Sequence, residues 1–279
     1  MAATELMFEI EELSITDAPA GLALSDEAGW NQTSDDWRYF LEHGTVFGVR
    51  DGDGRVTASA ALLPSRPVTW ISMVLVTAPW RRRGLAARLM TRCIETAQAR
   101  SLEPWLDATP AGAAVYGPMG FAESGLGLTR LRRIRGESVQ PGQPPTAASL
   151  QNLLDADRRG MGFDRGELIR HFAARAGSSI HPTEDAIGLV RAGRKARQIG
   201  PVYAQSDMGT IAVLQRILGE ETGSLVIDLS AAHSKAREFL LSQRFVVERP
   251  FARMRFGTKA SKASGGSAEL IAVAGPEFG

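Results

Sequence analysis

The sequence predicts a mixed α/β protein, a sheet with helices on both faces, laid out twice along the chain. Three observations point there. Strand-length apolar runs alternate with segments of helical period. A Pro/Gly-rich stretch, GESVQPGQPPTAAS at 136–149, divides the 279 residues; it lacks hydrophobic periodicity and reads as a stiff polar linker. The second half is a looser echo of the first, which marks a candidate internal duplication.

In the first half, FEIEELSI (8–15) predicts an opening strand, followed by helical patterns near 19–29 and over Asp35–His43. The runs Thr45–Arg50 and Val56–Leu63 flank Asp51-Gly52-Asp53-Gly54, a hairpin turn signal. Trp70–Val76 is a nearly continuous apolar strand between Pro67 and Pro79, and a long helix begins near Gly84. Its apolar positions Leu85, Leu89, Cys93 and Ala97 fall four apart, on one face. A strand at Pro104–Asp107, a short helix near 111–117 and closing strands from Phe121 to Arg133 complete the half. After the linker come helices near 147–158 and 164–176, strands near 186–204, helix 207–218, strand 224–229, helix 232–243 and strand 245–256. A break at 257–267 precedes Leu270–Ala274, whose strand-like content predicts a return to a sheet.

Composition narrows the function. The chain is 44% hydrophobic and 23% charged, with Lys+Arg 32 against Asp+Glu 31, an ordinary soluble balance that argues against a dedicated nucleic-acid or anionic-membrane binder. One cysteine, Cys93, rules out a disulfide framework. The four scattered histidines show no metal-ligand spacing, so no metal is expected. The acidic start MAATELMFEIEEL has no signal-peptide pattern and no apolar run is of membrane-spanning length, so a cytoplasmic protein is expected. The cluster Arg130–Arg135 alternates with apolar residues and reads as a strand with one wet face.

The segment that carries chemistry is Met73-Val74-Leu75-Val76-Thr77-Ala78-Pro79-Trp80-Arg81-Arg82-Arg83-Gly84-Leu85-Ala86. A buried strand stops, the chain turns at Pro79, and a helix opens on Arg-x-x-Gly-x-Ala. The unsatisfied N–H groups of a first helical turn, with the positive end of the helix dipole, form a site for a phosphate or pyrophosphate. Gly84 and Ala86 are small where a large side chain would block an anion, and Arg81 to Arg83 add positive charge. Taken alone, the same residues also describe a basic helix start on a solvated face.

This segment resembles the acetyl-CoA signature of the GNAT superfamily of N-acetyltransferases, Q/R-x-x-G-x-G/A, with Arg81, Gly84 and Ala86 at its fixed positions. Tyr116-Gly117-Pro118-Met119-Gly120-Phe121 fits the family's second signature, Y-x-x-x-G-F. Gly29-Trp30-Asn31 with Asp36-Trp37, and in the second half DAIGLVRAGRKARQIGPVYA, VIDLS and IAVAGPEFG, look like a subgroup with a degenerate C-terminal GNAT-like domain. The resemblance implies two GNAT-like domains, each a twisted, mainly antiparallel sheet flanked by helices: residues 1–136, a linker at 137–148, and 149–279. After Ala196–Ala204 the second half reads QSDMGTIAVLQRIL, without the signature, so one acetyl-CoA site per chain is expected.

Carried onto this sequence, the resemblance implies that the backbone of Met73, Val74, Leu75 and Val76 pairs with the pantetheine arm as an added strand would. Arg81, Arg82, Arg83, Gly84, Leu85 and Ala86 would hold the pyrophosphate, and Tyr116 would donate a hydrogen bond to the leaving thiolate, a packing role being its alternative. Trp30 and Asn31 lie in the loop that overhangs the acceptor pocket in such folds; substrate contact and simple packing both fit them. Many relatives carry a carboxylate on the strand before the signature. Here Trp70-Ile71-Ser72-Met73 has none, and Asp107 is a candidate base whose stronger reading is a cap on the loop before Thr109-Pro110. The expected reaction is acetyl transfer to a primary amine of a small molecule or peptide by direct attack, with Cys93 dispensable. A non-catalytic acyl-CoA-binding sensor is the competing reading.

Overall fold

The structure, a computed structural model, describes residues 8–134, 142–257, 267 and 269–279. The chain forms two compact units, Met1–Pro64 with Val68–Pro104, and Ser65–Pro67 with Trp105–Gly279.

The first unit carries β1 (Glu11–Glu12), α1 (Ala18–Glu27), α2 (Ser34–His43), β2 (Thr45–Arg50), β3 (Val56–Ser65), β4 (Val68–Val76) and α3 (Leu85–Ala99). The strands lie in the order β1-β2-β3-β4. The expected opening strand shrinks to the two residues that pair with Phe47 and Gly48. Its remainder is diverted because the Asp17 carboxylate accepts from the Ser14 N–H at 2.9 Å and starts a helical turn at Ile15. The hairpin turn forms as predicted. Asp51 Oδ1 accepts from the N–H groups of Asp53 and Arg55, and Gly54 supplies the positive φ of 79°. Helix α3 buries Leu85, Leu89, Met90, Cys93, Ile94 and Ala97 along one stripe, which is the i, i+4 pattern read from the sequence.

In chain order the second unit continues with β5 (Glu103–Ala108), α4 (Pro110–Tyr116), β6 (Phe121–Arg133), α5 (Ala147–Met161), α6 (Gly166–Ala174), β7 (Ser179–Pro182) and β8 (Ala186–Arg191). It ends with β9 (Arg197–Ala204), α7 (Asp207–Glu220), β10 (Leu225–Ser230), α8 (Ser234–Ser242), β11 (Val246–Phe256) and β12 (Leu270–Ala272). The spatial order is β5-β11-β6-β10-β12-β9-β8-β7. The closing strands of the first half are one continuous strand, β6, interrupted by bulges opposite β11. β11 runs antiparallel between β5 and β6, and β6 runs antiparallel between β11 and β10. Strand β6 of the first half is thus hydrogen-bonded to β10 and β11 of the second, and β11 to β5 and β6 of the first. The two compact units divide near residue 104. Of the linker predicted at 137–148, residues 137–141 lie outside the described residues, while the Gly142 N–H donates to Glu221 Oε1 at 3.0 Å.

Two readings are corrected here. Strand β7 has no counterpart in the sequence reading, because Ser179-Ile180-His181-Pro182 is too short and polar to stand out; pairing with β8 creates it. The arginines of β6 have no wet face. Arg130 is buried and grips Asp228 with two bonds of 2.7 and 2.8 Å, Arg132 pairs with Glu248 at 2.8 Å, and Arg133 is buried over the Phe245 ring. Strand β10, strand β11 and Phe245 just before β11 supply these partners, and a single-strand pattern cannot show them. Arg135 lies outside the described residues.

Among the described residues no helix is long and apolar enough to cross a membrane. Cys93 is fully buried, and burial pushes its thiol up to about 12, which makes it a core residue rather than a nucleophile.

Candidate functional site

Strand β4 is irregular where the sequence placed its chemistry. Met73 is buried yet has φ 53°, in the left-handed region, and its carbonyl accepts from Ser59 Oγ at 2.8 Å. A non-glycine residue held this way is a local irregularity in the strand, which continues to Val76 just before the signature loop.

The loop itself is fixed by its own polar groups. Ala78–Trp80 makes a single helical turn, and the Trp80 ring meets Phe8 edge-on at 5.1 Å. Arg81 Nε donates to the Val76 carbonyl at 3.0 Å, and Arg83 Nη2 donates to the Pro79 carbonyl at 3.0 Å while its guanidinium lies over the Trp80 ring. Glu27 accepts from the Ala78 N–H at 2.6 Å. Arg82 (φ 60°) and Gly84 (φ 75°) both take left-handed backbone. Alternation of this kind turns successive N–H groups toward one concavity. The first amide with a partner beyond the turn is Arg88, bonded to the Gly84 carbonyl at 3.0 Å. Among the described residues, none of the six N–H groups from Arg82 to Ala87 has a hydrogen-bond acceptor. Six consecutive donors lie at the positive end of a helix, on an exposed loop with three arginines, an arrangement whose chemistry suits an anion. A Cβ on Gly84 would meet nothing within 4 Å, so the residue serves backbone conformation rather than space.

Trp30 and Asn31 follow Gly29, whose φ of 71° ends α1. Trp30 is half-buried and Asn31 buried. The neighbouring Asp36 and Trp37 are structural. Asp36 forms a reciprocal cap with Thr33 at the start of α2, and Trp37 is fully buried with its indole N–H on Ser25 Oγ at 2.9 Å. Sequence reasoning passed over Gln32 and Ser72, both buried, whose Oε1 and Oγ have no hydrogen-bond partner among the described residues.

Tyr116, in the second unit, ends α4 half-buried, with its ring 6.2 Å from that of Phe121. The second signature has a plain cause. Gly120 takes φ 101° to leave the helical turn, and Phe121 is buried against Phe256 at 5.4 Å, edge to face. Asp107 is neither free base nor loop cap. Its carboxylate is fully buried and takes two 2.9 Å bonds from Arg253 on β11. Burial pushes its pKa upward, with the Arg253 charge opposing.

Among the described residues, the second half offers no comparable run of donors. Helix α7 follows β9 as α3 follows β4, but Ser206 caps its first turn by accepting from the Gly209 N–H at 3.0 Å. Asp185 accepts in turn from Ser206 Oγ at 2.6 Å and stands where a Cβ of residue 209 would fall. The adjoining pocket is lined by Asp155, Glu184, Asp185 and Glu269, with Arg159. Carboxylates at a helix mouth repel a diphosphate.

Residues 8–121 match the model of the acetyltransferase (GNAT) family, and residues 153–266 match that of an acetyltransferase (GNAT) domain. Among solved structures, a Pyrococcus horikoshii chain assigned to the acetyltransferases is similar over 100% of this chain and 98% of its own, with TM-score 0.79 and 16% identity. A tandem GNAT protein from the clavulanic acid biosynthesis pathway is similar over 91% of this chain and 100% of its own, with TM-score 0.63 and 16% identity. A GCN5-related N-acetyltransferase from Sphaerobacter thermophilus covers 93% and 99%, with TM-score 0.59 and 14% identity. At these identities the likeness is one of fold. A comparison with curated proteins found no match.

Proposed function

Because the chain belongs to the GNAT acetyltransferase family, with two GNAT domains in tandem, we propose that it transfers an acetyl group from acetyl-CoA to a primary amine, using one cofactor site in the first domain. The observation that carries this reading is the run of six N–H groups from Arg82 to Ala87 that have no acceptor among the described residues. Hydrogen bonds to charged groups contribute roughly 1.5–3 kcal/mol each. Four of them, less ordering costs, account for a large part of the roughly 8 kcal/mol that micromolar affinity requires. The backbone of Met73 to Val76 is the edge for the pantetheine arm, and Arg82 is the loop arginine whose guanidinium is not spent on a loop carbonyl.

Acetyl-CoA, when bound, supplies the acyl group as a thioester. The acceptor nitrogen must first lose a proton. A free alkyl ammonium is neutral about once in 2,500 molecules at pH 7, a cost of roughly 4.6 kcal/mol. Desolvation of the acceptor on binding would lower that cost. Attack by the neutral amine forms the C–N bond and breaks the C–S bond with no acyl-enzyme; the nitrogen gives up its extra proton to solvent, CoA leaves as the thiolate, and the Tyr116 hydroxyl donates a hydrogen bond to the departing sulfur. Trp30 and Asn31 face the acceptor in this reading.

The competing reading, a non-catalytic acyl-CoA-binding module, is favoured by the lack of a carboxylate on β4 and by the commitment of Asp107 to Arg253. Thiol release from acetyl-CoA against a panel of amines separates the two. Amine-dependent thiol supports the enzyme; tight CoA binding with no thiol from any amine supports the sensor.

A further inference from the structure

Strands β9 and β10 pair in parallel only over Arg197–Ile199 and Leu225–Ile227. At Gly200 they part, and β12 fills the gap. It pairs antiparallel with β9 through Leu270↔Tyr203 and Ala272↔Val202, and antiparallel with β10 through Leu229↔Ala272. The Val273 N–H donates to the Asp228 carbonyl at 3.1 Å, and the Ala204 N–H donates to the Glu269 carbonyl at 3.0 Å. The main chain of this segment is thus held from both sides. Its side chains are held as well, since Leu270 through Ala274 are all 1% exposed or less.

The receiving wall is shaped for it. Gly200 has φ 144°, and a Cβ there would stand 2.0 Å from the Val273 carbonyl oxygen, so only glycine admits the segment at this point. Beyond the gap, buried Arg191 donates to the Ala274 carbonyl at 2.9 Å and buried Arg165 to the Phe278 carbonyl at 2.9 Å. The Phe278 ring is set edge-on to Phe172 at 4.9 Å beneath the Arg191 guanidinium. Arg165 is itself fixed by Asp157 and Tyr203. Two clamped carbonyls, an aromatic slot and a strand gap are the parts of a peptide-binding site.

We infer that residues 270–279 are a built-in ligand of the second domain, an extended peptide seated in a strand gap that the domain would otherwise present to an outside partner. The blocked mouth of α7 agrees: with Asp185 on its cap and polypeptide in the gap, this domain takes a segment of its own chain in place of an acyl-CoA. The inference concerns the second domain alone and stands whether or not the first domain transfers acyl groups.

The test places a specific protease site within 258–266 of the 279-residue protein and cuts the folded chain. The expected result is that the released segment stays bound at 1:1 through gel filtration and exchanges with a labelled synthetic peptide of residues 269–279. A peptide carrying Val273→Pro, which lacks the N–H that reaches Asp228, should bind at least tenfold more weakly, on the order of one lost main-chain bond. Millimolar acetyl-CoA should leave the segment in place. Loss of the segment from a folded core, equal binding of the proline peptide, or displacement by acetyl-CoA overturns the inference. Should cutting unfold the protein, uncut Gly200→Ala decides by hydrogen exchange. At least tenfold faster exchange of the amides of 270–274, with β6 and β10 still protected, supports the inference, and unchanged protection of 270–274 refutes it.

Discussion

Replacing Gly84 with alanine perturbs the cradle while leaving its surroundings untouched. At φ 75° glycine is nearly free, whereas alanine costs about 1–2 kcal/mol in the left-handed region. No atom lies within 4 Å of the new Cβ, so a steric clash contributes nothing. The loop then either holds its shape under strain or relaxes toward right-handed backbone and swings the N–H groups of residues 84–87 off their common target. Misaiming one or two charge-assisted bonds removes about 3 kcal/mol, equivalent to roughly a hundredfold loss of affinity. The assay is calorimetric titration of CoA, with thermal unfolding run in parallel. Gly54→Ala is the control, because Gly54 has φ 79° and equally open space but caps the β2–β3 turn. Both variants should lose about 1 kcal/mol of stability, and only Gly84→Ala should lose affinity. A folded Gly84→Ala protein with CoA affinity within twofold of the parent would refute the cradle.

Tyr116→Phe keeps the ring contact with Phe121 and removes the hydroxyl; kcat should fall about 10²-fold with little change in stability, measured by thiol release and thermal melts. Asp107→Asn should cost about 3–5 kcal/mol in urea denaturation by leaving buried Arg253 without its countercharge, while kcat per folded molecule holds. A collapse of kcat with stability kept would restore Asp107 as the base. Glu221 gives an acid limit. Burial would raise its pKa, but hydrogen bonds from His181, Ser179 and Arg197 outweigh burial and hold it at about 2. A depressed carboxylate stabilises the fold above its unfolded pKa and loses that contribution as pH falls through the folded value. Stability should therefore drop between about pH 5 and pH 2, by at most about 3 kcal/mol. Glu221→Gln should be destabilised at neutral pH and show a flatter acid limb.

The parts of this molecule legible in the sequence are those set by local chemistry. Asp51-Gly52-Asp53-Gly54 forms its turn because the Asp51 carboxylate caps it, and α3 buries the stripe its spacing announced. Gly84 and Gly120 stand at left-handed positions that their motifs require. The features that escaped are those made by distant partners. Arg130 looks like a surface arginine until Asp228, 98 residues away, is placed beside it. Asp107 looks like a cap until Arg253 arrives on β11. The exchange of β6 and β11 between the two halves, and the seating of β12 between β9 and β10, are facts of strand order, and no periodicity encodes strand order. The left-handed Met73 was equally hidden, since methionine gives no hint of positive φ.

A crystal structure of the 279-residue protein with acetyl-CoA tests the central claim most directly. The account predicts diphosphate oxygens about 3 Å from N–H groups between Arg82 and Ala87, with the mouth of α7 empty. A nucleotide bound at α7, or bound anywhere with those six donors unengaged, would contradict it.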